Sequence, residues 1–299
     1  MLFSSYKYDN IRNFYFLLIV LIGTLCGCSP DNEENITDGG MLFSLLDYGQ
    51  LQIKMDSQGM DIYNDSYLFQ GSYVGESGCG IVVADLVNKE IIGCIDFLKG
   101  TSPIHMNNIN CGRKYKPEDR FPILYISEAN NEKRCFVTRL SNNASQYSIL
   151  QVIKYTGEKY ASYNYMDWFL DNDEDYIYGY GLLNSSVSDY CIIKFPLPPL
   201  TQESVILTDD DIIDDFLIRT DVFIPQGTKM RNGILHTVYG YNTDKYPSWY
   251  LKYDLVNKKM VSKVKLDKRW GEPEAVSFFQ DKTIISNNAT NPSYWIINE

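Results

Sequence analysis

From Leu42 onward, apolar residues come in short runs bounded by Gly, Asn, Asp and Ser, and helical periodicity never lasts beyond a few turns. Runs such as Ile81-Val82-Val83-Ala84, Tyr176-Ile177-Tyr178-Gly179-Tyr180 and Ile234-Leu235-His236-Thr237-Val238-Tyr239 are rich in β-branched and aromatic side chains, which suit strands. Many of these runs lack the apolar–polar alternation of a half-solvated sheet, so both faces of the strands are expected to be covered. Sheets stacked face to face satisfy that requirement.

The pattern repeats. Asp85-Leu86-Val87-Asn88-Lys89 recurs as Asp254-Leu255-Val256-Asn257-Lys258, each time between two β-rich runs. Gln58-Gly59 stands 27 residues before Asp85 and Gln226-Gly227 stands 28 residues before Asp254, so the same unit is used at least twice. In that frame further units start at His105, Asn164 and Glu274, and the five starts are separated by 47, 59, 62 and 48 residues. Such spacings fit four-stranded propeller blades with loop insertions. The fold class expected is therefore all-β, a five-bladed β-propeller over residues 41–299, with six blades as the alternative.

The last unit is short. From Glu274 the chain holds three brief strands, whereas residues 41–56 supply spare strand-like sequence ahead of the first unit. An N-terminal strand added to the last blade closes the ring and hides edges that would otherwise pair with other chains.

The amino end reads differently. Lys7 and Arg12 precede an apolar run, Phe14 to Ile22, that is too short for the ~20 residues of a membrane-spanning helix, and small residues and cysteines follow. Residues 1–27 are read as a signal peptide. Leu25-Cys26-Gly27-Cys28 resembles the lipobox of bacterial lipoproteins, which implies lipidation of Cys28 and a membrane partner through that anchor. Residues 28–40 are polar and acidic, a flexible tether. Acidic residues directly after a lipidated cysteine resemble the signal that sends lipoproteins to the outer face of the outer membrane, so the expected location is the cell surface.

Charge narrows the partners. Removing residues 1–27 takes away Lys7, Arg12 and Asp9 and leaves 25 basic against 37 acidic residues. Without a basic run, no stripe exists to neutralise a phosphate backbone, and nucleic acid is not an expected partner. Five cysteines remain after Cys28: Cys79, Cys94, Cys111, Cys135 and Cys191. Cys79 with Cys94 and Cys111 with Cys135 fall on neighbouring strands, but a chain this long buries a core without staples, and mostly free buried thiols are expected. A monomer is the expected state.

Two resemblances emerge once the units are aligned. Gln58-Gly59, His105-Met106-Asn107-Asn108-Ile109 and Glu272-Pro273-Glu274-Ala275-Val276 resemble the propeller shared by teichoic-acid biosynthesis C-like proteins and certain phage receptor-binding proteins. That likeness covers residues 41–299 and implies a propeller associated with cell-surface polymers. More locally, Ser57 to Ile62 and Tyr67 to Ser77 look like the first blade of propeller-type glutaminyl cyclotransferases. Those enzymes carry an acidic residue followed by Ser in the second strand, where this chain has Phe69-Gln70-Gly71.

The start of each innermost strand of a propeller lies near the axis, so Gln58, His105, Asn164, Gln226 and Glu274 are expected to surround one mouth. Amide, imidazole and carboxylate groups donate and accept hydrogen bonds, as the reading of sugar hydroxyls or a polar peptide requires. The expected function is binding of an extracellular glycan or peptide. The alternative is an enzyme, cyclotransferase-like or acting on surface polysaccharide, with His105 and Glu274 moving a proton. Two histidines and no Cys-x-x-Cys leave no zinc pattern, and Asp171, Asp173 and Asp175 lack the glycine and the closing glutamate of a calcium loop. Asp209-Asp210-Asp211 reads as a loop or helical turn. No metal or cofactor is expected, and Trp168, Trp249, Trp270 and Trp295 are assigned to packing between blades.

Overall fold

The computed structural model describes residues 34–35, 39–49, 55–74, 80–98, 104–128, 132–163, 165–171, 173, 175–182, 189–289 and 291–298. Residues 1–27, read above as a signal peptide, lie outside them, as do Cys28, Asn164, Cys79 and Leu51 to Lys54. Five antiparallel-based sheets form a ring, a five-bladed β-propeller. In each blade the first strand in sequence is innermost: Ser57–Tyr63, Ile109–Cys111, Tyr165–Asp171, Pro225–Arg231 and Pro273–Phe279. Each inner strand touches those of the blades on either side, the fifth touching the first.

The core is divided to match. Five clusters of buried apolar side chains lie one between each pair of neighbouring blades. Trp168 packs with Cys135 and Ile153 between the second and third blades, and Trp249 with Tyr253 and Tyr190 between the third and fourth. Trp270 and Trp295 stack with ring centres 5.9 Å apart beside the fourth and fifth. Strands in such a ring bury both faces, which is why their sequences do not alternate.

Closure comes from Met41–Ser44, which pairs antiparallel with Ser293–Ile297 as the outer strand of the fifth blade. Phe43 stacks on Tyr294 at 4.5 Å. Upstream, Glu34–Asn35, within the stretch read as a tether, pairs in parallel with Lys259–Lys265 on the outer edge of the fourth blade. A second edge is covered in the same manner: after Asp189–Pro196 of the third blade, the chain adds Ser204–Leu207 in parallel to Tyr147–Tyr155 of the second, then returns to complete the third with Asp214–Arg219. Gln151 Nε2 holds that excursion by donating to the carbonyls of Pro199 and Gln202. Asp209–Asp211 forms a single turn of 3-10 helix on the way back.

The repeated Asp-Leu-Val-Asn-Lys segments are the turns between the third and fourth strands of the first and fourth blades. Asp85 accepts from the backbone of Val87 and Asn88 and from the Asn88 amide, and Asp254 accepts from Asn257 in the same way. Lys89 and Lys258 both take the left-handed conformation, at φ 55° and 53°. The side-chain carboxylate organises the reversal, so the sequence repeats because the turn does.

Cys94 is disulfide-bonded, and its partner lies outside the described residues. Cys111 and Cys135 are not bridged; with Cys191 they are buried thiols, and burial raises their pKa values, Cys191 to about 12.

Candidate functional site: the axial mouth

Three inner strands begin with a bulge, and each bulge carries one of the polar starts. Ser57 opposes Ser72 and Met60 opposes Gln70, so Gln58 and Gly59 share the space of one residue. The fourth blade repeats this at Gln226 and Gly227, between the pairs Pro225–Tyr239 and Thr228–Thr237. In the fifth, Pro273 opposes Asn287 and Ala275 opposes Ser286, leaving Glu274 as the extra residue. A bulge takes a side chain out of the ladder's alternation and re-aims it, here toward the axis.

The glycines have a separate task. A Cβ on Gly59 would lie 2.6 Å from Asn108 Cα, and one on Gly227 would lie 2.7 Å from Ala275 Cα. Each therefore lets the next inner strand approach closely, and Gly59 N donates to the Met106 carbonyl at 2.8 Å. In the Gln-Gly pair, the first residue faces the mouth and the second closes the ring.

Gln58, His105, Gln226 and Glu274 all line one cavity of about 190 Å³. Asn164 lies outside the described residues. His105 reaches the cavity by a different route from that expected: it does not begin the inner strand of the second blade, which is Ile109–Cys111, but pairs with Tyr73 at the end of the first blade's second strand. The intervening Met106-Asn107-Asn108 crosses between the blades, and the chain must extend the first before it can start the second.

The walls include residues that the sequence pattern did not single out: Asn107, Tyr241, Glu272 and Asn288, with Ile224 and Pro225 as the apolar part. Glu272 stands two residues before Glu274, so the Glu-Pro-Glu motif held the signal for it. Asn107 similarly follows His105 within the His-Met-Asn-Asn motif. Tyr241 and Asn288 leave their strands just past the last paired residue, where no periodicity marks them. Ile224 holds φ at 66°, an unfavourable region for a β-branched residue, and its carbonyl accepts from Gly240 N.

Among the described residues, no lysine or arginine lines this cavity. Glu274 is 2% exposed, and burial followed by the neighbouring charge of Glu272 pushes its pKa well up, against an opposing hydrogen bond with Asn288. Burial also raises Glu272, which Asn288 and Gln226 partly offset; Gln226 Nε2 donates to Glu272 Oε1 at 3.2 Å. His105 is moved down by burial. Two carboxyl groups with raised affinity for protons thus face amides and an imidazole. Gln58, 4% exposed, has no hydrogen-bond partner for its Oε1 among the described residues.

Beneath the cavity the axis is closed. Asn107 Nδ2 donates to Asp167 Oδ2 at 2.8 Å. Asn108 Nδ2 reaches from the second blade to Thr228 Oγ1 of the fourth at 2.9 Å, and also donates to the Trp168 carbonyl at 2.9 Å. Lower still, Asp61 of the first blade pairs with Lys229 of the fourth and accepts from Ser277 Oγ of the fifth and Cys111 N of the second. Side chains from non-adjacent blades meet across the centre, so the mouth is a cup and not the top of a channel.

No family model matches the sequence, and no curated protein matches it. Among solved structures, the chain is similar to the tail fiber of Staphylococcus aureus phage P68, with a TM-score of 0.57 over 93% of this chain at 11% sequence identity. The likeness is one of fold. The chain spans 56% of the length of that tail fiber.

In the segment Phe69-Gln70-Gly71, Gln70 Nε2 donates to the carbonyls of Gln58, Gly59 and Gly71, while Oε1 accepts from Tyr294 OH. Gln70 secures the bulge that presents Gln58. The acidic triplet Asp171, Asp173 and Asp175 sits at the hairpin turn leading from Tyr165–Asp171 to Tyr176–Leu182, and Asp175 pairs with Arg113 at 2.6 Å. Among the described residues, no group of three His, Cys, Asp or Glu is placed to hold a metal ion.

Proposed function

We propose that this chain is a surface lipoprotein whose propeller binds an extracellular glycan or peptide in the axial cup. The observation that carries the reading is the buried acceptor of Gln58, without a hydrogen-bond partner among the described residues, in a cavity of convergent amides and carboxyls. An unsatisfied buried polar atom costs about 1–3 kcal/mol, which a ligand hydroxyl or amide would recover. The arrangement is costly to a protein that binds nothing and useful to one that does. Similarity in fold to a phage tail fiber is in keeping with a role in surface contact, and the Leu25 to Cys28 motif supports anchoring through Cys28.

Glycan and peptide arrays probed with the wild-type chain and with Gln58→Met test the proposal. Methionine fills the same space without the orphan acceptor, so the variant is expected to be as stable as the wild type or more so, and to lose array binding. Array binding that survives Gln58→Met and Gln226→Met would place recognition elsewhere on the protein. Anchoring is tested by palmitate labelling, which Cys28→Ser should abolish.

An enzymatic reading uses the same cup. A carboxyl pushed up and an imidazole pushed down is the pairing that general acid–base chemistry needs near neutral pH. It predicts turnover that Glu274→Gln abolishes, with a bell-shaped pH profile.

A further inference from the structure

The geometry points to a narrower ligand class for this same mouth, one that rests on the binding reading above: the cup takes a free amino sugar, its ammonium held by Glu274 and Glu272 and a neighbouring donor held by Gln58 Oε1.

The charge pattern supports it first. Away from the axial cup, buried carboxylates among the described residues have their cations: Asp61 has Lys229, Glu128 has Arg134, Asp119 has Arg139 and Asp85 has Arg120, whereas Asp167, directly beneath the cup, has the Asn107 amide instead. Glu274 is as buried as these, and among the described residues no lysine or arginine lines its cavity. Buried charge is ordinarily paired. Here a ligand ammonium would supply the cation that the described walls lack and draw the carboxyl into its charged form.

The walls then select the body that carries the ammonium. A lysine side chain brings a long methylene stem and needs an apolar sleeve, but among the described residues Ile224 and Pro225 are the only aliphatic side chains lining the cup. A sugar ring brings hydroxyls, which both donate and accept, and the amides of Gln226, Asn107 and Asn288 match them. Tyr241, 46% exposed, offers a ring face at the rim for stacking on a pyranose and for attraction to its positive charge. The volume, about 190 Å³, lies below the ~300–1,000 Å³ of pockets for drug-sized ligands, so one ring enters.

Proton release should accompany binding. The titratable groups facing the ammonium are Glu272, Glu274, His105 and Tyr241, with Asp167 behind Asn107. Burial raises the proton affinity of both carboxyls, Glu274 more than Glu272, and an incoming ammonium opposes that protonation, so affinity is expected to rise with pH until the ligand's own amine loses its charge.

The experiment is calorimetric titration of the full detergent-solubilised chain at pH 6, 7 and 8 with three probes: a glucosamine trimer, its fully N-acetylated counterpart and trilysine. The expected result is at least tenfold tighter binding of the glucosamine trimer than of the acetylated one. Heats should vary with buffer ionisation enthalpy in the sense of proton release, and Glu274→Gln should erase most of the preference. Glu272→Gln, at a less buried position, should reduce it in a variant expected to fold, and melting curves check both. Equal or tighter binding of the acetylated trimer, if still lost in Gln58→Met, overturns the amine while leaving the mouth as the binding site. Binding of trilysine in place of glucosamine overturns the sugar. Binding indifferent to Gln58→Met and Glu274→Gln overturns both this inference and the mouth itself, and no binding of the glucosamine trimer overturns the inference.

Discussion

Asp167 offers the sharpest test of the electrostatics under the cup. It is 1% exposed, its Oδ2 accepts from Asn107, its Oδ1 has no partner among the described residues, and burial pushes its pKa up from 3.8 to about 7. The folded protein thus holds this proton more tightly than the unfolded chain does. Stability contributed by the group is full below its ordinary pKa, declines as pH rises toward about 7, and is flat beyond. Integrating between pH 5 and pH 8 gives a loss of roughly 2.5 kcal/mol, an upper figure set by the size of the shift.

Asp167→Asn keeps the shape and the acceptor for Asn107 but carries no proton, so the variant should escape that loss. Urea unfolding of both proteins at half-unit steps from pH 5 to pH 8 isolates the effect. Glu272, Glu274 and His105 titrate in both proteins and cancel in the difference. The variant is expected to gain on the wild type steadily with pH, by about 2 kcal/mol over the range. A difference that stays flat with pH would refute the claim that Asp167 is buried without adequate compensation, whatever the absolute stabilities.

Further outcomes follow from the packing. Gly227→Ala sets a methyl group 2.7 Å from Ala275 Cα and from the Glu274 carbonyl, backbone atoms that cannot swing aside, and should cost about 1–3 kcal/mol in chemical denaturation. Phe43→Ala removes the ring stacked on Tyr294 in the closing strand; the expected loss is about 3–5 kcal/mol, with concentration-dependent aggregation by light scattering as the outer edge frays. Lys229→Met leaves Asp61 without its cation and should cost about 3–5 kcal/mol, while the double variant Asp61→Asn with Lys229→Met recovers much of it, which a double-mutant cycle would show.

Much of the ring was legible because its signals are local. The Asp-Leu-Val-Asn-Lys repeat marks a turn that its own side chains build, and the Gln-Gly repeat marks a bulge joined to a close approach, so both survive as short words in the sequence. The blade boundaries were harder. His105 heads the right segment yet belongs to the first blade's sheet, since a two-residue extension leaves no periodic trace. The excursion of Ser204–Leu207 to a neighbouring blade was not visible at all, because its pairing partner is set by tertiary packing and by Gln151, some 50 residues upstream. In the cup, the residues on bulges could be read from the repeat. Tyr241 and Asn288, just beyond strand ends, could not, and the lack of any cation among the lining residues became apparent only once the walls were assembled.

The cross-axis bonds of Asn108, Thr228, Asp61 and Lys229 have a consequence for what can be recognised. A dead-ended cup cannot thread a continuous polymer; it meets termini and single-residue branches. On the binding reading proposed above, recognition of this type would count chain ends, so an exo-acting enzyme that trims one residue of a homopolymer would leave the number of targets unchanged, while an endo-acting enzyme that cuts mid-chain would multiply it.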